Sequence, residues 1–317
     1  MNNGIINEIL EKIKVFNKVA IYRHVFPDPD CYGSQVGLKS IIEATFPEKK
    51  VILLGEQNEK LSYIGKMTEE SEVEIDKDTL AIILDVSNKE RVDNQSFIDA
   101  GFRIKIDHHE PFTKPYEDLT WVDTNYSSCC EMILDIYLEN KDIINITQEG
   151  RKALFAGIIS DTGRFVYVEN PTELLKKVSE ITYDFNTKEI YSNLYRREKT
   201  ELEFLGYIYQ NFEVTDNGVA YLKIPKKVIN EYNLETIKAA RMVNALQDCN
   251  GIINWLFFAE KENGEILSEF RSSGPIVNEI ANKFGGGGHK LAAGATLRDW
   301  NQVNEIIREF DKNCKFD

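Results

Sequence analysis

The 317 residues contain no apolar run approaching the roughly 20 that would span a bilayer as a helix. Near the N-terminus no basic segment leads into an unbroken apolar stretch, as a secretory signal would require. MNNGIINEILEKIKVF reads instead as an amphipathic helix, and the cytoplasm is the expected location. Cysteine is sparse and unpatterned. The five, Cys31, Cys129, Cys130, Cys249 and Cys314, are odd in number and form no CxxC pair, which argues against a disulfide frame or a zinc ribbon and for free thiols in a reducing compartment. Positive charge is short as well: 38 Lys and Arg against 52 Asp and Glu give a formal charge of -14, which opposes tracking of long nucleic acid along a broad basic groove. One local excess, Lys223, Lys226, Lys227, Lys238 and Arg241 against Glu231 and Glu235, reads as a solvated helix face. There is no long polar tract and no internal repeat. With 42% hydrophobic and 11% aromatic residues the chain is folded and long enough for two domains with their own cores.

What is present is a change of pattern along the chain. In the first half, apolar β-branched runs at 18–24, 51–55, 80–85 and 103–107 alternate with helical stretches at about 34–45 and about 128–139, which implies a largely parallel sheet buried on both faces. From about 172 to 210 the sequence turns helical and highly charged, as a connector would. Then NFEVTDNGVAYLKI reads as a hairpin turning at Asp-Asn-Gly, followed by a helix near 234–247, strands near 252–259 and 266–271, a helix near 275–283, a strand near 291–296 and a last helix. The expected fold is α/β and bilobal: a parallel-sheet domain over 1–185, a helical connector over 186–210, and a smaller α/β domain over 211–317.

Polar residues sit where the strands of the first half end. His24 follows the first run, Asp85 closes LAIILD, and Asp107 closes RIKID and opens Asp107-His108-His109. In an open parallel sheet the carboxyl ends of the strands line the ligand crevice, so these groups converge although they are distant in sequence. Asp161 follows the helical run RKALFAGIIS. The stretch HVFPDPDCYGS adds Asp28 and Asp30, spaced i, i+2 between prolines that argue against a helix. In an extended loop such residues project to one side, and Gly33 and Ser34 let the chain turn into the next helix. Carboxylates and imidazoles without a thiolate suit Mn²⁺ or Mg²⁺ better than Zn²⁺ or Co²⁺. The chain has only four histidines, His24, His108, His109 and His289, and all four lie in polar, turn-like positions rather than in apolar runs. Cys31, Cys129 and Cys130 read as packed thiols. Tyr32, Phe165 and Tyr167 flank these segments within stacking reach of a base, in a chain with many aromatics.

HVFPDPDCYGS, LDVS, IDHHEP and SDTGRF resemble, in order and spacing, the four motifs of the DHH phosphoesterase superfamily. RSSGPIVNEIANKFGGGGHKLAAG resembles the glycine-rich motif of its DHH-associated C-terminal domain. The resemblance covers nearly the whole chain and implies a two-metal centre, with His24 and Asp28 on one ion, Asp30, His108 and Asp161 on the other, and Asp85 between them. The ions are expected to be Mn²⁺, with Mg²⁺ or Co²⁺ as alternatives. Asp85 and His108 then act in catalysis together with Asp107, which orients His108, and His109, which serves the phosphoryl group either as hydrogen-bond donor or as acid for the leaving oxygen. In the second half Arg271, Ser272, Ser273, Gly286, Gly287, Gly288 and His289, with Gly285, are expected to bind substrate.

The activity implied is hydrolysis of short oligoribonucleotides, about two to five nucleotides long, together with removal of the 3′-phosphate of pAp. The partners are therefore short RNA, pAp and dinucleotides, without long nucleic acid or membrane, and a homodimer is compatible with this reading. Alternatives are a phosphodiesterase for linear or cyclic dinucleotides (pApA, pGpG, cyclic di-AMP), a manganese pyrophosphatase, which the glycine-rich histidine motif disfavours, and an inactive nucleotide-binding module, which the intact set of acids and histidines disfavours.

Overall fold

The amphipathic pattern at the start of the chain forms α1 (Asn3–Val15), which buries Ile6, Ile9, Leu10 and Ile13 along one stripe. A computed structural model describes residues 3–69, 73–110, 115–168 and 170–314, and the chain divides into two units, Met1–Arg196 and Arg197–Asp317.

In the first unit α1 is followed by β1 (Lys18–Tyr22), α2 (Pro29–Thr45), β2 (Lys50–Leu53), β3 (Thr79–Leu84), β4 (Phe102–Asp107), β5 (Leu119–Val122), α3 (Cys129–Leu138), α4 (Gln148–Asp161), α5 (Thr172–Ser179) and α6 (Thr187–Leu194). The five strands form one parallel sheet in the order β2-β1-β3-β4-β5. Side chains alternate between its two cores. Val19 and Ile21 of β1 and Leu80, Ile82 and Leu84 of β3 enter one, while Ala20, Tyr22, Ala81 and Ile83 enter the other. Coverage on both faces is why these strands read as continuous apolar runs. The strand order reverses between β1 and β3, so the crevice of this sheet opens where His24 and Asp85 leave their strands.

Helices α2 and α4 pack closely because small residues line the contact. A Cβ on Gly33 would stand 2.4 Å from the Ala153 carbonyl oxygen, and one on Gly157 would stand 3.0 Å from Asp30 Cα. This approach brings the N-terminal turn of α2 beside the C-terminal part of α4.

The second unit contains α7 (Lys199–Asn211), β6 (Glu213–Val214), β7 (Val219–Ile224), α8 (Lys226–Glu231), α9 (Thr236–Arg241), β8 (Asn254–Glu260), β9 (Ile266–Ser272), α10 (Asn278–Lys283), β10 (Gly287–His289), β11 (Ala292–Leu297) and α11 (Trp300–Asn313). Its sheet runs β10-β11-β9-β8-β7-β6, antiparallel except for the parallel pair β7 and β8. Again the two faces are apolar, with Leu256 and Phe258 in one core and Trp255 and Phe257 in the other.

Four local expectations differ from the structure. Pro29 does not prevent a helix; it occupies the first turn of α2, where its missing N–H costs nothing, so the helix starts inside the Asp-Pro-Asp stretch rather than near 34. The edge strand β5, which buries only Trp121, was not foreseen. The span 186–210 is divided between the units: Ile190 of α6 packs into the first core, and Phe204, Leu205 and Ile208 of α7 pack into the second. In the glycine run, a Cβ on Gly286 would stand 2.1 Å from the Gly294 carbonyl oxygen and one on Gly288 2.6 Å from that of Ala292, so close strand pairing alone requires glycine at both.

The α2 and α4 contact gives a prediction. Alanine for glycine in an exposed helix gains about 1 kcal/mol. Gly33→Ala is instead expected to lose about 1–3 kcal/mol, because its Cβ would meet the Ala153 backbone and the buried Cys130 sulfur. Thermal denaturation should show a lower Tm for the variant, and a raised Tm would refute the close packing.

Candidate metal centre

β1 delivers a buried arginine and then a histidine. Arg23 is fully buried, with its guanidinium donating to Asp93 Oδ2 at 2.7 Å, to the His24 carbonyl at 3.0 Å and to the Glu56 carbonyl, and lying over the Tyr32 ring. These bonds fix the backbone on which His24 stands. The His24 ring donates from Nδ1 to the Val25 carbonyl at 2.8 Å, which leaves Nε2 as the acceptor nitrogen, 3.4 Å from both Asp28 Oδ2 and Asp85 Oδ2.

Asp28 and Asp30 use the start of α2 differently. Asp28 is the N-cap, its Oδ1 accepting from the backbone N–H groups of Asp30 and Cys31 at 3.1 and 3.0 Å. Asp30 is fully buried and lies against the N-terminus of α3, accepting from the N–H groups of Cys129 and Cys130 at 2.7 and 2.9 Å. Two amide donors and the positive end of a helix dipole thus hold one carboxylate inside the protein.

Asp85 follows β3 with φ of 59°, a left-handed conformation unusual outside glycine and asparagine. The residue is 3% exposed and its carboxylate is divided among three partners: Oδ2 faces His24, and Oδ1 lies 3.4 Å from His108 Nε2 and 3.3 Å from His109 Nδ1. His108 Nε2 is also 3.4 Å from Asp161 Oδ2 and 3.9 Å from Asp30 Oδ2, and its Nδ1 faces the Tyr126 carbonyl at 3.4 Å. Asp161 is the last residue of α4. Four of the six non-glycine residues with positive φ among the described residues, Phe26, Asp85, Arg164 and Phe165, fall in the segments that build this cluster. Each costs about 1–3 kcal/mol, a concentration of strain typical of functional sites.

Asp107 departs from its expected part. Its Oδ1 accepts from His109, both from the backbone N–H at 3.2 Å and from ring Nδ1 at 2.9 Å, and Lys105 Nζ stands 3.3 Å from its Oδ2. It orients His109 and not His108, because the chain turns at His109 so that the i, i+2 amide and ring nitrogen close on one carboxylate oxygen. Tyr32 is fully buried, with its hydroxyl accepting from the Asn58 N–H, and so is removed from the candidates for base stacking. Tyr167 is exposed.

The donors fit a divalent ion. His108 Nε2 and Asp85 Oδ1 are buried without a hydrogen-bond partner. Among the described residues the ion pairs of Asp28, Asp30, Asp85 and Asp161 are all with histidine. The recurring separation of 3.4 Å is long for a hydrogen bond. Atoms bound about 2.1 Å from one ion in a tetrahedron lie about 3.4 Å apart. Three overlapping sets could hold an ion: His24, Asp28, Cys31 and Asp85; Asp85, His108 and His109; and Asp30, His108 and Asp161.

The crowding of carboxylates favours protons on the histidines. Burial opposes protonation of His24, His108 and His109, but their carboxylate partners outweigh it: His24 and His108 are raised, and His109 is pushed up to about 10 by Asp107 and Asp85. Burial raises Asp30 to about 7, with Asp85 adding to it, and burial with Asp30 and Asp85 raises Asp161 well above the carboxylate range. Asp85 goes the other way. Burial would raise it, but the three histidines that face it hold it well below the usual range. Burial, reinforced by Asp28, pushes the Cys31 thiol up to about 12.

Residues 18–158 match the N-terminal domain of the DHH family, and residues 216–315 match the DHHA1 domain. A bifunctional oligoribonuclease and PAP phosphatase NrnA of Bacillus subtilis (strain 168) is 36% identical over 310 residues, 97% of this chain and 98% of that one. The chain belongs to the DHH family. A further bifunctional oligoribonuclease and PAP phosphatase NrnA, from Mycoplasma genitalium, is 32% identical over 322 residues and the full length of both chains. The fold also matches a crystal structure of an exopolyphosphatase-related protein from Bacteroides fragilis, with a TM-score of 0.86, 22% identity, and coverage of 98% of this chain and 96% of that one. Among the described residues no helix is long and apolar enough to cross a membrane.

As a DHH-family chain, it carries the expected donors His24, Asp28, Asp30, Asp85, His108 and Asp161 in one cluster with His109 and Asp107, all in the first unit. Arg271, Ser272, Ser273, Gly285, Gly286, Gly287, Gly288 and His289 lie in the second unit, at the end of β9 and in the hairpin beside it. Arg271 pairs in register with Ala292, and Ala292 with His289. The Arg271 guanidinium donates to Glu269 and to the Phe270 carbonyl. The basic residues of 223–241 do not form one solvated helix face: they are spread over β7, α8 and α9, Lys223, Lys226 and Lys238 are half-buried, and Lys226 pairs with Glu262, Lys227 with Glu231 and Lys238 with Glu201. Sequence reasoning missed Arg23, Lys105 and the position of Cys31. A cation inside an apolar strand was the available signal for the first two.

An ion bound to this cluster stabilises only the folded state. Mn²⁺ at about 100 times its Kd should add about 2.7 kcal/mol per site and raise the Tm, with chelator reversing the shift. A Tm indifferent to Mn²⁺ would remove the cluster as a metal centre.

Proposed function

We propose that the chain is a metal-dependent hydrolase that cleaves short oligoribonucleotides to mononucleotides and removes the 3′-phosphate of pAp. The observation that supports this best is the division of Asp85, one carboxylate oxygen toward His24 and Asp28 and the other toward His108, Asp30 and Asp161. Two donor sets sharing one carboxylate suit two neighbouring ions, for which we propose Mn²⁺. The names of the relatives at 36% and 32% identity supply the substrate class.

Bound ions would supply an activated water and neutralise charge developing on the phosphoryl oxygens. The chain's own residues then position and donate. Asp28 and Asp30 are fixed by backbone N–H groups, so their free edges need no reorganisation. Lys105 and Asp107 hold the His109 ring, and we assign His109 the hydrogen bond to the phosphoryl group or the proton for the leaving oxygen. We assign contacts to the remainder of the substrate to Arg271, Ser272, Ser273, Gly287 and His289 of the second unit. The formal charge of -14 favours a ligand of a few phosphates over a long polyanion.

The test is a time course on 5′-phosphorylated RNA of two, five and twenty-four nucleotides, pAp and pyrophosphate, each with Mn²⁺ and with chelator. Mn²⁺-dependent loss of the dinucleotide and pAp, with the longest RNA nearly untouched, is expected. Preferred release of phosphate from pyrophosphate would overturn the reading. Asp85→Asn tolerates the left-handed backbone and should lose at least about a hundredfold in turnover on every substrate while keeping its circular dichroism. Arg271→Ala and His289→Ala should raise KM with metal content unchanged, and loss of metal from either would contradict the assignment of roles to the two units.

A further inference from the structure

The His24 donor set contains a residue that the proposed function leaves unused. Cys31 Sγ is grouped with ligand atoms of His24, Asp28 and Asp85, all within 4.8 Å of one another, and its side chain is fully buried. The same turn of α2 holds this sulfur and the Asp28 carboxylate, since the Cys31 N–H donates to Asp28 Oδ1 at 3.0 Å. Its S–H rests on the Asp28 carbonyl at 3.4 Å, a weak bond, and the sulfur also lies beside the His24 ring. The Asp85 oxygen that faces this set is Oδ2, 3.4 Å from His24 Nε2, on a side chain that is almost wholly buried.

The other thiols nearby are disposed differently. Cys129 Sγ faces the Ile106 carbonyl at 3.6 Å and Cys130 Sγ the Asp30 carbonyl at 3.3 Å, and neither joins a candidate donor set among the described residues. Asp30, His108 and Asp161 offer only oxygen and nitrogen. The two halves of the centre therefore differ in softness, and thiolate is the donor that selects borderline and soft ions over Mn²⁺ and Mg²⁺.

We propose that Cys31 is a metal ligand, so that the set His24, Asp28, Cys31 and Asp85 takes a thiophilic divalent ion such as Co²⁺ or Zn²⁺, while the set Asp30, His108 and Asp161 takes an oxygen-preferring one. The inference rests on the two-ion reading above. On binding, the sulfur–hydrogen bond is replaced by a sulfur–metal bond, and the proton passes to solvent. With a hard ion such as Mn²⁺ the thiol stays protonated beside the site.

The experiment is a titration of chelator-stripped, full-length protein with Co²⁺, followed by absorption. A sulfur-to-cobalt charge-transfer band in the near ultraviolet is expected in the wild type and in Cys249→Ala, and its loss in Cys31→Ala and Cys31→Ser, with the visible cobalt bands retained. Cys31→Ser keeps the side-chain volume, and its Cd²⁺ affinity should fall at least about tenfold while Mn²⁺ affinity changes far less. Visible cobalt bands in the wild type without the charge-transfer band, or a band that survives Cys31→Ser, would overturn the role of Cys31 alone. No cobalt uptake by the wild type would overturn the two-ion reading with it.

Discussion

A carboxylate buried at the switch point of a parallel sheet has to be neutralised, and much of the first unit is arranged around that requirement. Asp85 is 3% exposed, and burying a carboxylate costs several kcal/mol even after the protein relaxes. Three histidines from two different strand ends face it, and they keep it ionised against the burial that would protonate it. The charge balance is nevertheless incomplete, because Asp28, Asp30 and Asp161 share the same imidazoles. Divalent cations resolve this imbalance without recruiting further side chains.

The helices treat the remaining carboxylates unequally. Asp30 receives two amide hydrogen bonds and the positive end of α3, so part of its charge is already stabilised by fixed dipoles. Asp161 is the last residue of α4, at the negative end of its own helix, where a carboxylate is disfavoured. Such a group is held near other acids only if packing leaves it no alternative. The glycines at the α2 and α4 contact supply that packing, since Gly33 and Gly157 let α4 approach until its end reaches the pocket of Asp30.

What was legible in the sequence were features with a local cause. Apolar runs marked β1 to β4 because both faces of the sheet are covered, and the polar residues ending those runs marked the crevice. The strand β5 escaped because its position at the edge leaves a single buried side chain, Trp121, and no periodic signal. The partner of Asp107 escaped because the choice between His108 and His109 depends on how the chain turns after β4. The supposed connector escaped because charge and helicity do not reveal that Ile190 and Phe204 are buried in different cores. Glycines in the GGGG run were read as room for a ligand; close approach to β11 is a second reason for glycine at 286 and 288, one the sequence did not reveal.

The Asp-Pro-Asp-Cys spacing shows how one such error bears on chemistry. In an extended loop, Asp28 and Asp30 would project to one side, and Cys31 to the other. The chain enters a helix at Pro29, and helical geometry sets residues three apart on one face and residues two apart on nearly opposite faces. Asp28 and Cys31 therefore turn together toward His24, while Asp30 turns away toward His108 and the amides of α3. The start of one helix thus groups Asp28 with Cys31 and separates both from Asp30, where an extended strand would group the two carboxylates. The proline at the first turn, which favours the start of the helix there, therefore helps to decide which of these side chains face His24.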